Sequence, residues 1–417
     1  MSLLLDVRPL RTRSFARLWF ATAVSTFSAQ VATVAVLGQV WSLTGSALAV
    51  GTVGLAQAAT SVVFGLLGGS AADRYDRQVI VAGTSLGQAV AVSLLTIAAV
   101  AVDDQQVRTT LVVVLVAAQN SFASFGAPAR RASIARLLPS DQLAAGVALT
   151  HLTFQASILL GPAVGGVLIA TSGYAACYAL YAGALGCATI ATLGLPAMTP
   201  PAPRDREVVP DGRLADLFAG WRVVIHHPML RAAFATDLIC TVLAFPIALF
   251  PAINSERLDG SPETLGLMLS AIGAGGIAAS LLSGAVTSSA RPGRVMIFSA
   301  TLWGVALVAF SASYSLPAIL ATIFLAGSAD TVSVVARGAL VQQVAPEAQR
   351  GRISAAEQVV GLGGPQLGSF RAGLVASGTS ATTAALLGGI TCVLGVTAFG
   401  LATPALRRRA ATGIGVG

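Results

Sequence analysis

The sequence predicts an all-α polytopic membrane protein whose twelve spans form two six-helix bundles. Three observations carry that expectation. Charged residues make up 10% of the 417-residue chain and hydrophobic residues 55%, with a mean hydropathy of +0.80. A soluble globular chain carries about 25% charge and uses it to cover its surface. Apolar runs of about 20 residues, the length that crosses a bilayer core, recur from end to end. Glycine reaches 44 residues, a content suited to spanning helices that pack closely. A spanning β-barrel would show short alternating segments instead of continuous runs.

The elements follow in order. Span one, 18–43, comes after Arg8, Arg11, Arg13 and Arg17. Phe27-Ser28-Ala29 mimics a signal cleavage site, but the apolar run continues to Trp41. That is longer than a signal's apolar core, so no cleaved signal is expected. Spans two and three, 46–72 and 78–102, flank a knot of charge at Asp73, Arg74, Asp76 and Arg77. Span four, 108–130, holds the uncharged stretch from Ala118 to Phe122; span five, 141–170, holds Gly161 and Pro162; span six, 174–195, closes the first half. The connection from Pro196 to Gly212 has prolines at 196, 200, 201, 203 and 210, with Arg204, Asp205, Arg206 and Glu207. After it, Leu214, Leu217, Phe218, Trp221 and Val224 recur at helical spacing with Arg213, Asp216 and Arg222 between them. That pattern predicts an amphipathic helix on the membrane face. The remaining spans are 229–251, 263–287, 294–313, 316–338, 353–376 and 380–402. The expected organisation is a bundle over 1–195, a linker over 196–228 and a second bundle over 229–417.

All 25 basic residues are arginine. With the N-terminus inside, every arginine but Arg108, Arg257 and Arg371 falls on an inner segment. The outer loops carry Asp103, Asp104, Glu256, Asp259 and Glu263 instead. This obeys the positive-inside rule and predicts two cytoplasmic termini. The net charge of +8 is therefore loop charge, and no nucleic-acid partner is expected. Cys177, Cys187, Cys240 and Cys392 lie singly in apolar segments and read as small buried hydrophobes. No cofactor, metal-ligand or nucleophile–base spacing occurs, nor a phosphate-binding GxxxxGK[ST] loop, so no enzyme is expected. A six-plus-six chain with a cytoplasmic linker is how a two-bundle secondary transporter is organised.

Two motifs carry a family resemblance. Gly69, Asp73, Arg74 and Arg77, with Asp76 at the usual second glycine, resemble the G-x-x-x-D-R-x-G-R loop of the major facilitator superfamily. The loop stands where that family has it, between spans two and three. Ser157 and Gly161-Pro162-Ala163-Val164-Gly165-Gly166 resemble the G-x-x-x-G-P-x-x-G-G motif of the superfamily's exporters. Gly361 to Gly368 echoes it in span eleven. Within the superfamily the chain is similar to the enterobactin exporter family. Ser289-Ala290-Arg291-Pro292-Gly293, Pro346-Glu347-Ala348, and Gly351-Arg352-Ile353 are further matching pieces. The resemblance implies the major facilitator fold and a proton-coupled, monomeric exporter of a siderophore or similar small molecule. A broad-specificity drug exporter on the same fold is the alternative. In the first motif, a charge cluster can latch one helix end to the next in one state and release it in another.

Ionisable groups inside a membrane are expensive and therefore functional candidates. Asp330, Asp237, Glu357 and His151 are the proton-coupling candidates, with Asp330 first. A carboxyl group removed from water can hold a proton that a hydrated one releases. Each has a second reading: Asp330 pairing with Arg371 or Arg337, Glu357 pairing with Arg350 or Arg352, Asp237 reaching for the inner interface, and His151 as a hydrogen-bonded structural residue. Gln119, Asn120, Phe122, Gln155 and Arg371 are the substrate-cavity candidates, with Phe125, Phe154 and Phe245 as further aromatic surfaces.

Overall fold

In the computed structural model, residues 6–199, 221–281, 283–287, 289, 291–345 and 350–404 are described. No strand occurs among them. The first six helices are α1 (Arg13–Thr44), α2 (Ala47–Arg74), α3 (Arg77–Ala101), α4 (Gln105–Leu137), α5 (Ser140–Ser172) and α6 (Tyr174–Leu193). The others are α7 (Pro228–Leu238), α8 (Phe250–Arg257), α9 (Pro262–Leu281), α10 (Ser283–Thr287), α11 (Pro292–Ser311), α12 (Leu316–Val344), α13 (Arg350–Gly378) and α14 (Ala381–Ala402). Eleven spans of the described chain are long and apolar enough to cross a membrane. Helix α13, 29 residues long, carries Glu357 and Arg371 and lies where the sequence expects span eleven.

Local chemistry sets the ends. Gly45 closes α1 at φ 58°, and its amide donates to the Trp41 carbonyl at 2.7 Å; only glycine takes that conformation without cost. Ser46, Asp76, Asp104 and Ser380 cap the following helices by accepting backbone amides. Helix α4 runs seven residues beyond the expected end at 130, which puts Arg130 inside a helix.

The seventh span differs from the continuous helix expected over 229–251. It is α7, then a π-helical turn at Ile239–Leu243, then a break, then a 3-10 turn at Ile247–Leu249, and then α8. Pro246 explains the break, because it offers no amide to the ladder and its ring crowds the preceding turn.

Packing divides the chain into two units: 1–211 with 250–270, and 212–249 with 271–417. Residues 250–270, expected with the second bundle, thus pack with the first unit. The first unit has a core of Leu18, Ala71, Ile80, Val81, Ala129 and Met198. The second has one around Cys240, Trp303, Leu307 and Val396. Residues 221–226 are helical. Trp221 and Val224 pack with Leu230, Phe234 and Ile353 of the second unit, and the Trp221 and Phe234 rings meet edge to face at 6.0 Å. The rest of the expected linker helix, Pro346 to Ala348 and the side chains of Arg350 and Arg352 lie outside the described residues. Three cysteines are buried as expected; Cys187 is exposed, because its face of α6 points outward.

Candidate functional site

The second unit gathers charge around Arg337, which is 6% exposed. Its Nη1 forms an ion pair with Asp237 of α7, and its Nε donates to Glu357 Oε1 of α13 at 3.4 Å. Asp330 stands two turns before Arg337 on α12. It lies within electrostatic range of both Asp237 and Arg337 but forms no ion pair among the described residues. Two carboxylates therefore share one guanidinium, with a third nearby, on three helices. Asp237 does not reach for an interface; its side chain is 10% exposed and held by Arg337. Glu357 pairs with Arg337, a partner the sequence did not single out. His151 is exposed on α5 in the first unit and is not part of this cluster.

Arg371, an expected cavity residue, lies in the second unit beside the break in the seventh span. Its Nη1 donates to the Leu243 carbonyl, an acceptor released where the seventh span breaks. A buried carbonyl without its helical partner needs a donor, and Arg371 supplies one. Beside the break, Phe245 stacks on Trp303 at 6.2 Å.

The first unit holds a cavity of about 340 Å³. Gln119 and Asn120 line it, together with Gln30, Gln57, Gln88 and Tyr181. Gln119 Nε2 donates to Tyr181 at 2.9 Å and to Gln88 Oε1 at 3.2 Å. Asn120 Nδ2 lies 2.8 Å from Thr60 Oγ1 and 2.9 Å from Ser61 Oγ. Phe154 also lines the cavity, but Gln155 does not. Phe122 is 41% exposed and packs on the outer face of α3, where it covers Gly87. It points away from the cavity because it follows Asn120 by two residues, about half a helical turn.

Sequence reasoning missed Arg130. Its guanidinium lines the same cavity, and the buried Nη2 has no hydrogen-bond partner among the described residues. The sequence placed it at the end of span four, with the loop arginines. The signal that could have found it is Gly126 one turn earlier, which leaves room for a long side chain folded back along the helix.

The glycine motif of α5 is a packing device. A side chain at Gly161 would press on Gln30 Cβ, one at Gly165 would meet the Val31 carbonyl oxygen at 2.8 Å, and one at Gly166 would meet Glu263 Cα at 2.9 Å. The stretch therefore packs α5 against α1 on one side and the start of α9 on the other. Ala163 N, freed where Pro162 interrupts the ladder, donates to Ser270 Oγ at 3.0 Å. In the charged loop, Asp76 accepts from Gln78 N at 2.8 Å and from Met198 N at 3.1 Å. It thus caps α3 and ties down the chain after α6, a use the usual glycine does not have. Arg77 Nε donates to the Ala72 carbonyl at 3.3 Å. Gly68, the residue before Gly69, makes the close crossing: a side chain there would collide with the Phe125 carbonyl.

Apolar spans in this order, glycine-dependent crossings and buried charge among the described residues define a membrane protein of the major facilitator fold. A family model described as a transmembrane secretion effector matches residues 6–411, and the chain belongs to that family. It is 29% identical over 278 residues to the enterobactin exporter EntS of Shigella boydii serotype 18, a match covering 66% of this chain and 65% of that protein. The enterobactin exporter EntS of Escherichia coli O81 matches to the same extent. The match thus spans just under two-thirds of those relatives' own length. Among solved structures, the nucleoside transporter NupG is similar with a TM-score of 0.73 and 14% identity, covering 93% of this chain and 98% of that one. A bacterial homologue of the human lysosomal transporter Spinster has a TM-score of 0.68 and 14% identity, covering 96% and 97%. A transporter of the POT family has a TM-score of 0.73 and 10% identity, covering 95% and 97%. At these identities the likeness is one of fold.

Proposed function

We propose that the chain is a secondary active exporter that carries a siderophore or similar small molecule across the bacterial cytoplasmic membrane in exchange for protons. The observation that carries this reading is the charge cluster of the second unit. One guanidinium serves Asp237 and Glu357 while Asp330, within range of both Arg337 and Asp237, has no ion pair. Protonation of any one acid changes which carboxylate Arg337 holds best. Exchange of partners between helices is how a proton biases a two-state transporter. Asp330 is the proton site in this reading, and Asp237 and Glu357 compete for Arg337. The loop of Gly69, Asp73, Arg74 and Arg77 is the latch between states. Similarity to enterobactin exporters supports the direction and the substrate class. The protein acts as a monomer in this reading.

The test is secretion of a catecholate siderophore by iron-starved, efflux-deficient cells expressing the chain. Secretion rises with the wild type, collapses with a protonophore and is lost in Asp330→Asn. A gain in resistance to lipophilic drugs with unchanged siderophore secretion moves the substrate to the drug class. No change in either, in inserted protein, removes the reading.

A further inference from the structure

We propose that the cavity of the first unit binds the acidic group of a small organic anion, held by Arg130 and Tyr181. The inference rests on the export reading only in making that anion a cargo; the site itself stands on geometry. The guanidinium of Arg130 reaches the cavity because Gly126 lies one turn before it on α4. A side chain at Gly126 would sit 3.3 Å from Arg130 Nη2 and would collide with Thr84. The buried Nη2 has no hydrogen-bond partner among the described residues. An unpaired buried donor on a permanent cation is costly, so a complementary acceptor binding there relieves that cost.

The hydrogen bonds fix a second donor. Gln88 Nε2 donates to the Thr84 carbonyl at 3.2 Å, which leaves Gln88 Oε1 as an acceptor. The Gln119 atom that faces it must then be Nε2, and that same Nε2 donates to the Tyr181 oxygen. Tyr181 therefore receives a hydrogen bond and keeps its own proton to give. Arg130 and Tyr181 lie within electrostatic range of each other. Among the described residues no Asp or Glu lines the cavity. A cation and a hydroxyl donor with no competing carboxylate select an oxyanion, and the planar guanidinium fork suits a carboxylate. Phe154, Val92 and Val116 supply apolar walls, so the ligand is organic. At about 30 Å³ per water-sized group, 340 Å³ holds about eleven such groups. That is room for one aromatic acid, or one acidic arm of a larger molecule.

The experiment uses purified full-length protein and a charge series on one ring: benzoate, benzamide and benzylamine, with inorganic phosphate beside them. Affinity is read by calorimetry, and folding by helicity and elution volume. Benzoate binds; benzamide, benzylamine and phosphate bind about tenfold or more weakly, the scale of one charge-assisted hydrogen bond. Arg130→Gln weakens benzoate by a similar factor and abolishes discrimination against benzamide. Tyr181→Phe weakens benzoate alone, by roughly fivefold. If Arg130→Gln does not fold, the wild-type series and Tyr181→Phe decide. The proposal is overturned if benzoate does not bind, if benzamide or phosphate binds as tightly, or if folded Arg130→Gln keeps the wild-type affinity. Export in cells separates the two readings. Export that survives Arg130→Gln leaves transport standing and removes this site. Anion binding lost in Arg130→Gln, in a protein that exports nothing, does the reverse.

Discussion

At the scale of the residue, Arg337 governs the second unit, because one guanidinium cannot neutralise two carboxylates and a third nearby. Its removal leaves Asp237 buried with no counter-charge. Arg337→Ala is expected to lower stability by about 3–5 kcal/mol, the cost of stranding one partner of a buried pair. Adding Asp237→Asn in that background is expected to restore most of the loss, since the neutral amide needs no cation. Thermal unfolding in detergent measures both; a single variant as stable as the wild type means the pair holds nothing together. Asp237, Asp330 and Glu357 were legible in the sequence, since each is a charge in an apolar span. That Asp237 and Glu357 meet at Arg337 was not, because the sequence offered Arg337 to Asp330 alone and only packing brings α7 and α13 to it.

At the scale of the element, α5 shows what a motif of small residues is for. Gly161 and Gly165 face α1, and Gly166 faces the start of α9. Gly165→Leu places a branched side chain against the Val31 backbone, and a destabilisation of about 1–3 kcal/mol is expected from overpacking. It is measured as a lower melting temperature with unchanged helicity at low temperature; full retention of stability means the crossing is looser than described. The seventh span makes the opposite point. Its apolar run predicted one helix, but Pro246 breaks it, and Arg371 takes up the Leu243 carbonyl. Hydropathy reads length and not continuity, so the break and the Arg371 contact at it were invisible to it.

At the scale of the whole molecule, the arginine distribution predicts both termini in the cytoplasm. A fluorescent reporter that matures only inside the cell is expected to be bright when fused to the C-terminus. An enzyme reporter active only outside is expected to work when inserted at Asp103–Asp104. The reverse pattern inverts the topology and the direction of transport with it. The division into units is subtler than the linker suggests. Residues 250–270 follow the linker in sequence yet pack with the first unit.

The sequence by itself determined that the chain lives in a membrane, how many times it crosses, and which motifs it carries. These follow from the cost of placing backbone and charge in hydrocarbon, and that cost is local and additive along the chain. Only the tertiary structure decided which charges meet, which side chains line the cavity and which glycines face a neighbour. Arg130 and Phe122 show why: both lie on α4, yet one turns into the cavity and the other outward. Which way a side chain points depends on the helices that surround it, and no local pattern encodes that.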